Sequence, residues 1–443
     1  MSQLDILLIV LRVAFGALVP LCFIAVLVWM ERRGCAFIQD RSGPNRCNIF
    51  GFRAAGLVQN LADAVKLVTK EDVIPGHIRH KFYFVLAPVI VFSVSLISFA
   101  AVPFADTLVI NGKQYLMQAI PTDLGILWFL AIVGFSVYGI ILAGWSSHNK
   151  YGMLGGLRSA AQVISYEIPM GFALISLLVV YGTVNLTEIV QFQGKLLFGF
   201  IPMWGVVLQP LGAIIFIIAA FAEANRVPFD LAEGESEIVA GFHVEYSGMK
   251  FGMFFMGEYV AMFTSSAIIV TLFFGGFQIP WFTTETLVNN SRIVTFLLML
   301  LLPVFALLFA GWISKNNRSH YSRENDPRVR EANIYIKVLW GVVIALELVL
   351  FMFLIGGSGG TSAGILAVCL QIVTFLVKVT FMCFVYVWVR WTLPRFRYDQ
   401  LQRLGWQTLI PLSLLNIFVT SAVVIALRCQ PPACAHKITL SHK

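Results

Sequence analysis

Residues 6–34, ILLIVLRVAFGALVPLCFIAVLVWMERRG, decide what kind of protein this is. Ile6–Trp29 passes with a single charged side chain, Arg12, and the run then breaks into Glu31, Arg32 and Arg33. As a helix these residues reach about 36 Å, enough to cross a hydrocarbon core of about 30 Å. Comparable runs recur at Phe82–Phe104, Leu124–Trp145, Ala161–Tyr181, Gly205–Ala222, Met256–Phe277, Ile293–Ile313, Val338–Ile355, Ile365–Val389 and Gln407–Leu427. No small-residue cleavage site follows the first run, so it reads as a span and not as a removable signal. The 443-residue chain is 58% hydrophobic and 12% charged, with mean hydropathy +0.83, whereas soluble domains carry roughly 25% charge. That excludes a soluble globular enzyme, and 38 Phe exclude disorder. The predicted fold is all-α, a polytopic transmembrane bundle of about ten spans.

Basic residues set its orientation. Of 31 Lys and Arg, 23 fall in alternate loops, from Arg32 and Arg33 through Lys150, Arg158, Arg226 and Lys250 to Arg390, Arg395, Arg397 and Arg403. The other side holds only Lys113, Lys195, Arg292, Arg428, Lys437 and Lys443. The positive-inside rule turns both termini away from the cytoplasm. The net charge of +8 then reports topology and asks for no nucleic-acid partner. Seven cysteines lack the paired spacing of zinc or iron–sulfur sites, and no GxGxxG or GxxxxGK[ST] occurs, so no metal, dinucleotide or triphosphate site is expected. Cys429 and Cys434 flank Pro431 and Pro432 in the outer tail, where they either pair in an oxidising compartment or stay as thiols.

Two basic-side loops are too long for linkers, 31–81 and 223–255. In the first, Leu57, Leu61, Ala64, Val65 and Val68 make one apolar helical face, which either roofs a cavity at the interface or packs on the bundle. The other holds Asp230, Glu233, Glu235, Glu237 and Glu245 within sixteen residues, flanked by only Arg226 and Lys250. Within or bordering the spans lie Glu167, Glu223, Glu258, Glu347 and Lys378. Charge at membrane depth is expensive and marks proton relays or ion sites. Arg12 is expected to snorkel toward the outer interface. His148 and His243 are loop histidines that either relay protons or bond locally.

The stretches ERRGCAFIQDRSGPNR, LADAVKLVTKED, AGWSSHNKYGMLGGLRSAAQVISYEIPM, AEANRVPFDLAEGESEIVAGFHVEYSGMKFGMFFMGEY and KVTFMCFVYVWVRWTLPRFRYDQLQRLGWQTLIPLSLLN resemble the H subunit of proton-pumping NADH:quinone oxidoreductase, respiratory complex I. The resemblance covers about 4–276 and 361–427. It implies a multi-pass subunit of the bacterial inner membrane at the junction of membrane and peripheral arms. The implied substrate is a quinone, with FMN and iron–sulfur clusters in partner subunits and none in this chain. Implied partners are the quinone-site and terminal iron–sulfur subunits and neighbouring small membrane subunits. By matching motifs, Glu31, Arg32, Asp63, Lys150, Tyr151 and Arg158 line or brace the quinone tunnel, with Arg226, Asp230, Glu233, Glu235, Arg390, Arg395 and Asp399. Glu167, Glu223, Glu237, Glu245 and Glu258 fall on its acidic proton path.

The family has eight helices, and here about Thr283–Gly360 intervenes as an inserted pair of spans, which preserves downstream topology because its number is even. The expected organisation is a family core over 1–282, the inserted pair over 283–360, the last two family helices over 361–427 and a periplasmic tail over 428–443. Two other functions stay open. A stand-alone cation/proton transporter would fit the intramembrane carboxylates, but transporters of that kind carry internal repeats and the acidic stretch has no second copy. An anchor subunit of a related hydrogenase-type complex shares the motifs.

Overall fold

The computed structural model describes residues 3–41, 43–110, 112–232, 234–320, 327–355 and 360–428. Helix α1, Gln3–Ile38, outruns the first apolar run, so Glu31, Arg32 and Arg33 sit on the closing turns of one continuous helix. α2, Leu57–Thr69, is the amphipathic helix of the first long loop, and α3, Lys81–Ser98, turns back. The third span breaks at Phe135 into α4, Gly125–Gly134, and α5, Ser136–Ser146. α6, Lys150–Tyr181, starts earlier than its apolar run because Asn149 caps it, accepting the Tyr151 N–H at 3.0 Å. α7, Leu186–Gln193, leads to α8, Gly205–Leu208, and α9, Pro210–Glu223. The short α10, Glu235–Ile238, precedes α11, Gly248–Phe273, and α12, Thr284–Asn289. The two long helices of the expected insert are α13, Ser291–His320, and α14, Pro327–Ile355. The chain ends in α15, Gly360–Thr392, α16, Tyr398–Arg403, a π-helical turn over Leu404–Leu409, and α17, Ile410–Arg428.

Among the described residues nine helical stretches are long and apolar enough to cross a bilayer, and α9 is a shorter apolar helix. The expected span Gly205–Ala222 is split: Pro210 lacks an N–H to continue α8 and instead opens α9 at its first turn. Fourteen residues give α9 only about 21 Å. Arg226–Ala232 after it is irregular yet buried. Such backbone persists at this depth only inside protein. Gln162 of α6 holds it, donating to the carbonyls of Ala222 at 2.6 Å and Phe229 at 2.7 Å.

α11 is the most enclosed span, 72% buried against 11% for α13 and α14, so this helix pair turns most of its apolar surface outward. Packing between membrane helices relies on close approach of small residues. Gly144 of α5 meets α6 so tightly that a Cβ there would collide with the Gly152 carbonyl. On the side carrying the N-terminus, a hairpin of β1, Leu108–Ile110, and β2, Lys113–Tyr115, pairs Val109 with Gln114. Tyr115 donates to Asp5 at 2.6 Å, and Arg12 donates to the Leu116 carbonyl at 2.7 Å. Arg12 also meets the Leu8 carbonyl at 3.2 Å, so its guanidinium reaches toward the N-terminal side and ends on backbone acceptors there.

Lys378 sits where α11 ends, donating to the carbonyls of Phe274 at 2.9 Å, Gly276 at 3.0 Å and Gln278 at 2.7 Å. A cation suits the orphan carbonyls of a helix C-terminus. Lys378→Met should destabilise the subunit by on the order of 2 kcal/mol or more, since three part-buried acceptors lose their donor. A melting curve of the detergent-purified complex checks this, and an unchanged midpoint would remove the clamp.

Candidate functional site

Four elements meet at one buried charge cluster on the side of the basic loops. Glu31, near the end of α1, takes Arg390 of α15 at 2.5 Å and Arg226 of the acidic loop at 3.3 Å. Tyr259 of α11 donates its hydroxyl to the same carboxylate at 2.8 Å and lays its ring 4.2 Å from the Arg226 guanidinium. Glu258, one residue earlier, lies 3.9 Å from Arg226 Nη2. Burial opposes the charge on Arg226, but Glu31, Tyr259 and Glu258 outweigh it and hold its pKa above the usual value. The cluster is two bases between two acids, so the ion pairs hold one another in place where either charge alone would be costly.

Glu31 and Tyr259 of this cluster line a cavity of about 560 Å³. Val28, Cys35, Pro44, Phe255 and Trp391 give it apolar surface, while Arg32, Arg41, Gln59 and Tyr259 give it donors. α2 closes one flank: Arg32 pairs with Asp63 at 2.5 Å, and Asn60 donates to the Ala25 carbonyl at 2.7 Å. The α2 stripe of Leu57, Leu61, Val65 and Val68 is exposed, which favours the interfacial one of the two readings of this face over packing on the bundle. Val58 on another face is buried instead, because polar ties to α1 set how α2 rolls.

The acids of the third loop are balanced by bases that are remote in sequence. Asp230 pairs with Arg395 at 3.1 Å, and Glu237 with Arg158 at 2.7 Å. Glu245 accepts from Asn149 at 2.8 Å and lies 3.9 Å from His77. Glu233 lies outside the described residues. Glu235 opens α10. Lys150, Tyr151 and Asp399 stand at helix starts with exposed side chains. Arg158 and Arg395 are thus gathered with the acidic loop, while Lys150, Tyr151 and Asp399 join no described ion pair.

A second polar feature lies deeper. Glu223, at the end of α9, borders a cavity of about 30 Å³ with Ser95, Ser98, Ser136, Thr264 and Ser265, which is room for a water. Glu167 of α6 is close enough for the two carboxylates to feel each other's charge, and Gly134 approaches Glu167 so nearly that a Cβ would sit 3.3 Å from its Oε1. Ser265 and Tyr386 share a hydrogen bond of 3.0 Å on the same wall. Glu167, Glu223 and Glu258 therefore stay at membrane depth, whereas Glu237 and Glu245 belong to the surface loop. Among the described residues no group of His, Cys, Asp or Glu gathers as a metal site.

A family model described as NADH dehydrogenase matches residues 11–355 and 330–421. The H subunit of the NADH-quinone oxidoreductase of Bdellovibrio bacteriovorus is 37% identical over 421 residues, covering 90% of this chain and 92% of that protein. The chain belongs to this family. Its counterpart in Salinibacter ruber, again named as the H subunit of NADH-quinone oxidoreductase, is 40% identical over 405 residues, covering 91% and 90%. NADH-quinone oxidoreductase subunit 8 of Rhodothermus marinus is 40% identical over 397 residues, covering 89% and 91%. The chain is accordingly a multi-pass membrane subunit of a complex I type oxidoreductase. The two stretches matched by the family model overlap over 330–355, within α14.

Sequence reasoning passed over Tyr259, which links Glu31 to Arg226, and Gln162, which pins the irregular segment. Both carried a usable signal. A Tyr or Gln inside an apolar helix needs a polar partner when buried.

Proposed function

We propose that this chain walls the access channel of a quinone and links its reduction to proton translocation. The observation that carries this is the cavity that Glu31 and Tyr259 border beside the Arg226 and Arg390 ion pairs, apolar along part of its wall and supplied with donors by Arg32, Arg41 and Gln59. An isoprenoid tail needs an apolar slot and a quinone head needs a few donors, and about 560 Å³ lies in the range of small-molecule sites. Two-electron reduction makes an anion that takes up two protons, and the cluster holds both bases and acids.

Arg226 supports the coupling. Its Nε and Nη2 are buried without hydrogen bonds, so its fork has donors to spare between Glu31 and Glu258. A change of charge at the cavity shifts that balance toward one carboxylate. Glu258 and the Glu223–Glu167 pair then offer carboxylates along α11, α9 and α6 toward neighbouring subunits. Electrons come from FMN and iron–sulfur clusters in partner subunits of the peripheral arm. This chain carries no redox centre and is inactive alone. The complex sits in a bacterial inner membrane.

A photoreactive quinone-site inhibitor should label the first loop, α2 or the segment after α9 in the intact complex. Labelling confined to α13 and α14 would contradict the assignment of the cavity.

A further inference from the structure

We infer that the extra helix pair latches the first loop in the shape that walls the cavity, with Glu331 and Tyr335 as positioning residues for quinone access. The inference rests on the quinone reading of the cavity and gives the pair a task within it. α13 and α14 pack chiefly on each other, yet the start of α14 reaches the core at one point. Glu331, 7% exposed, accepts the backbone N–H of Arg53 at 2.7 Å. Tyr335, one turn later on the same face, sets its ring 5.9 Å from Phe52. Ala332 beside them is buried as well.

The segment they hold is strained. Ala54 and Ala55 have φ of 48° and 53°, the left-handed region that costs a residue with a Cβ, and Gly56 follows at 98°. Such a conformation persists only where surroundings over-determine it. From α1, Trp29 and Arg33 both donate to the Ala55 carbonyl, at 2.9 Å and 2.6 Å. Glu331 adds the hold on the other edge. From there the contacts run straight to the cavity: Arg53 donates from Nη1 to Asn45 at 2.7 Å, next to Pro44, which lines it. Gly56 abuts Pro44 so closely that a Cβ would stand 2.9 Å from its carbonyl oxygen. One carboxylate on the peripheral pair therefore governs the Gly43–Gly56 wall through Arg53.

The test uses the assembled complex in membranes, with quinone titrations and, in parallel, NADH oxidation by a hydrophilic acceptor that bypasses the quinone site. Glu331→Ala should raise KM for quinone roughly three- to tenfold with kcat changed less than about twofold, the signature of lost positioning. Glu331→Gln keeps an acceptor and should stay near wild type, and Tyr335→Ala should raise KM in the same direction. Normal KM in Glu331→Ala and Tyr335→Ala overturns the latch, as does normal KM in Tyr335→Ala alone if the other variant fails to assemble. Loss in Glu331→Gln equal to that in Glu331→Ala also overturns it, since charge and not the accepted hydrogen bond would then matter. Gln59→Trp, which fills the cavity from α2, separates the two ideas. If it alters KM while both α14 variants do not, only the latch fails. If it leaves KM unchanged, the cavity is not the quinone channel.

Discussion

Arg226→Leu should abolish quinone-linked NADH oxidation and reduce the amount of assembled complex in the membrane. The side chain is 5% exposed and answers Glu31 and Glu258 together. Removing one partner of a buried ion pair costs about 3–5 kcal/mol, because the remaining charge is stranded in low dielectric. Arg390 and the Tyr259 hydroxyl still serve Glu31, which puts the loss nearer the lower end of that range, yet Glu258 loses its guanidinium. Arg226→Lys is the informative companion. A lysine restores the charge but has no planar fork to span two carboxylates while stacking on Tyr259. It should assemble and retain roughly a tenth of the quinone-linked rate, with the hydrophilic-acceptor rate untouched. Immunoblots of membranes with both rate assays decide the matter, and a fully active Arg226→Leu complex would show that the cluster is dispensable.

The membrane class was legible because it depends on one-dimensional facts, namely runs long enough to span and bases confined to alternate loops. Glu31 was legible as a motif residue but not as a helical one, since the last turns of α1 are too polar to look like a span. Pro210 in the sequence marks the break that shortens α9, but its effect matters only once the following segment is seen buried against Gln162. The acidic loop looked unbalanced because its balancing bases come from Arg158 and Arg395, far along the chain, and no window of sequence contains both partners. Lys378 stood out as an anomaly, but its role depends on three carbonyls brought to it by the end of another helix. The same limit applies to Glu331: a carboxylate near the start of α14 gains meaning only from the strained turn at Ala54 and Ala55 that it borders.

These contacts also order the site by depth. The cluster at Glu31 is assembled from the ends of α1 and α15, the middle of α11 and the segment after α9, and is buried by protein, so its charges can be strong and fixed. Glu223 instead faces a cavity of water size lined by hydroxyls, which can hand a proton on but cannot hold a counter-charge. Fixed charge beside the larger cavity and a hydroxyl-lined space for water at Glu223 are what the proposed coupling needs if a redox change is to be felt at a distance.

That division predicts the outcome at Glu223. Glu223→Gln keeps side-chain length and hydrogen-bonding capacity, so the Ser95–Ser265 cavity should keep its shape and the complex should assemble. What it removes is the exchangeable carboxyl proton, and loss of a positioned proton-transfer group typically costs 10²–10⁴-fold in a step limited by it. Quinone-linked NADH oxidation and proton translocation in inverted vesicles should therefore fall together, by roughly tenfold or more, while the hydrophilic-acceptor rate is preserved. Glu258→Gln should behave likewise for a second reason, because it also takes a carboxylate from Arg226. A Glu223→Asp variant retains the proton on a shorter arm and should recover part of the rate. Full oxidation with full translocation in Glu223→Gln would sink the proton-path assignment. Full oxidation with translocation lost would place Glu223 on the path but free the quinone chemistry from it, and the coupling through Arg226 would then have to be abandoned.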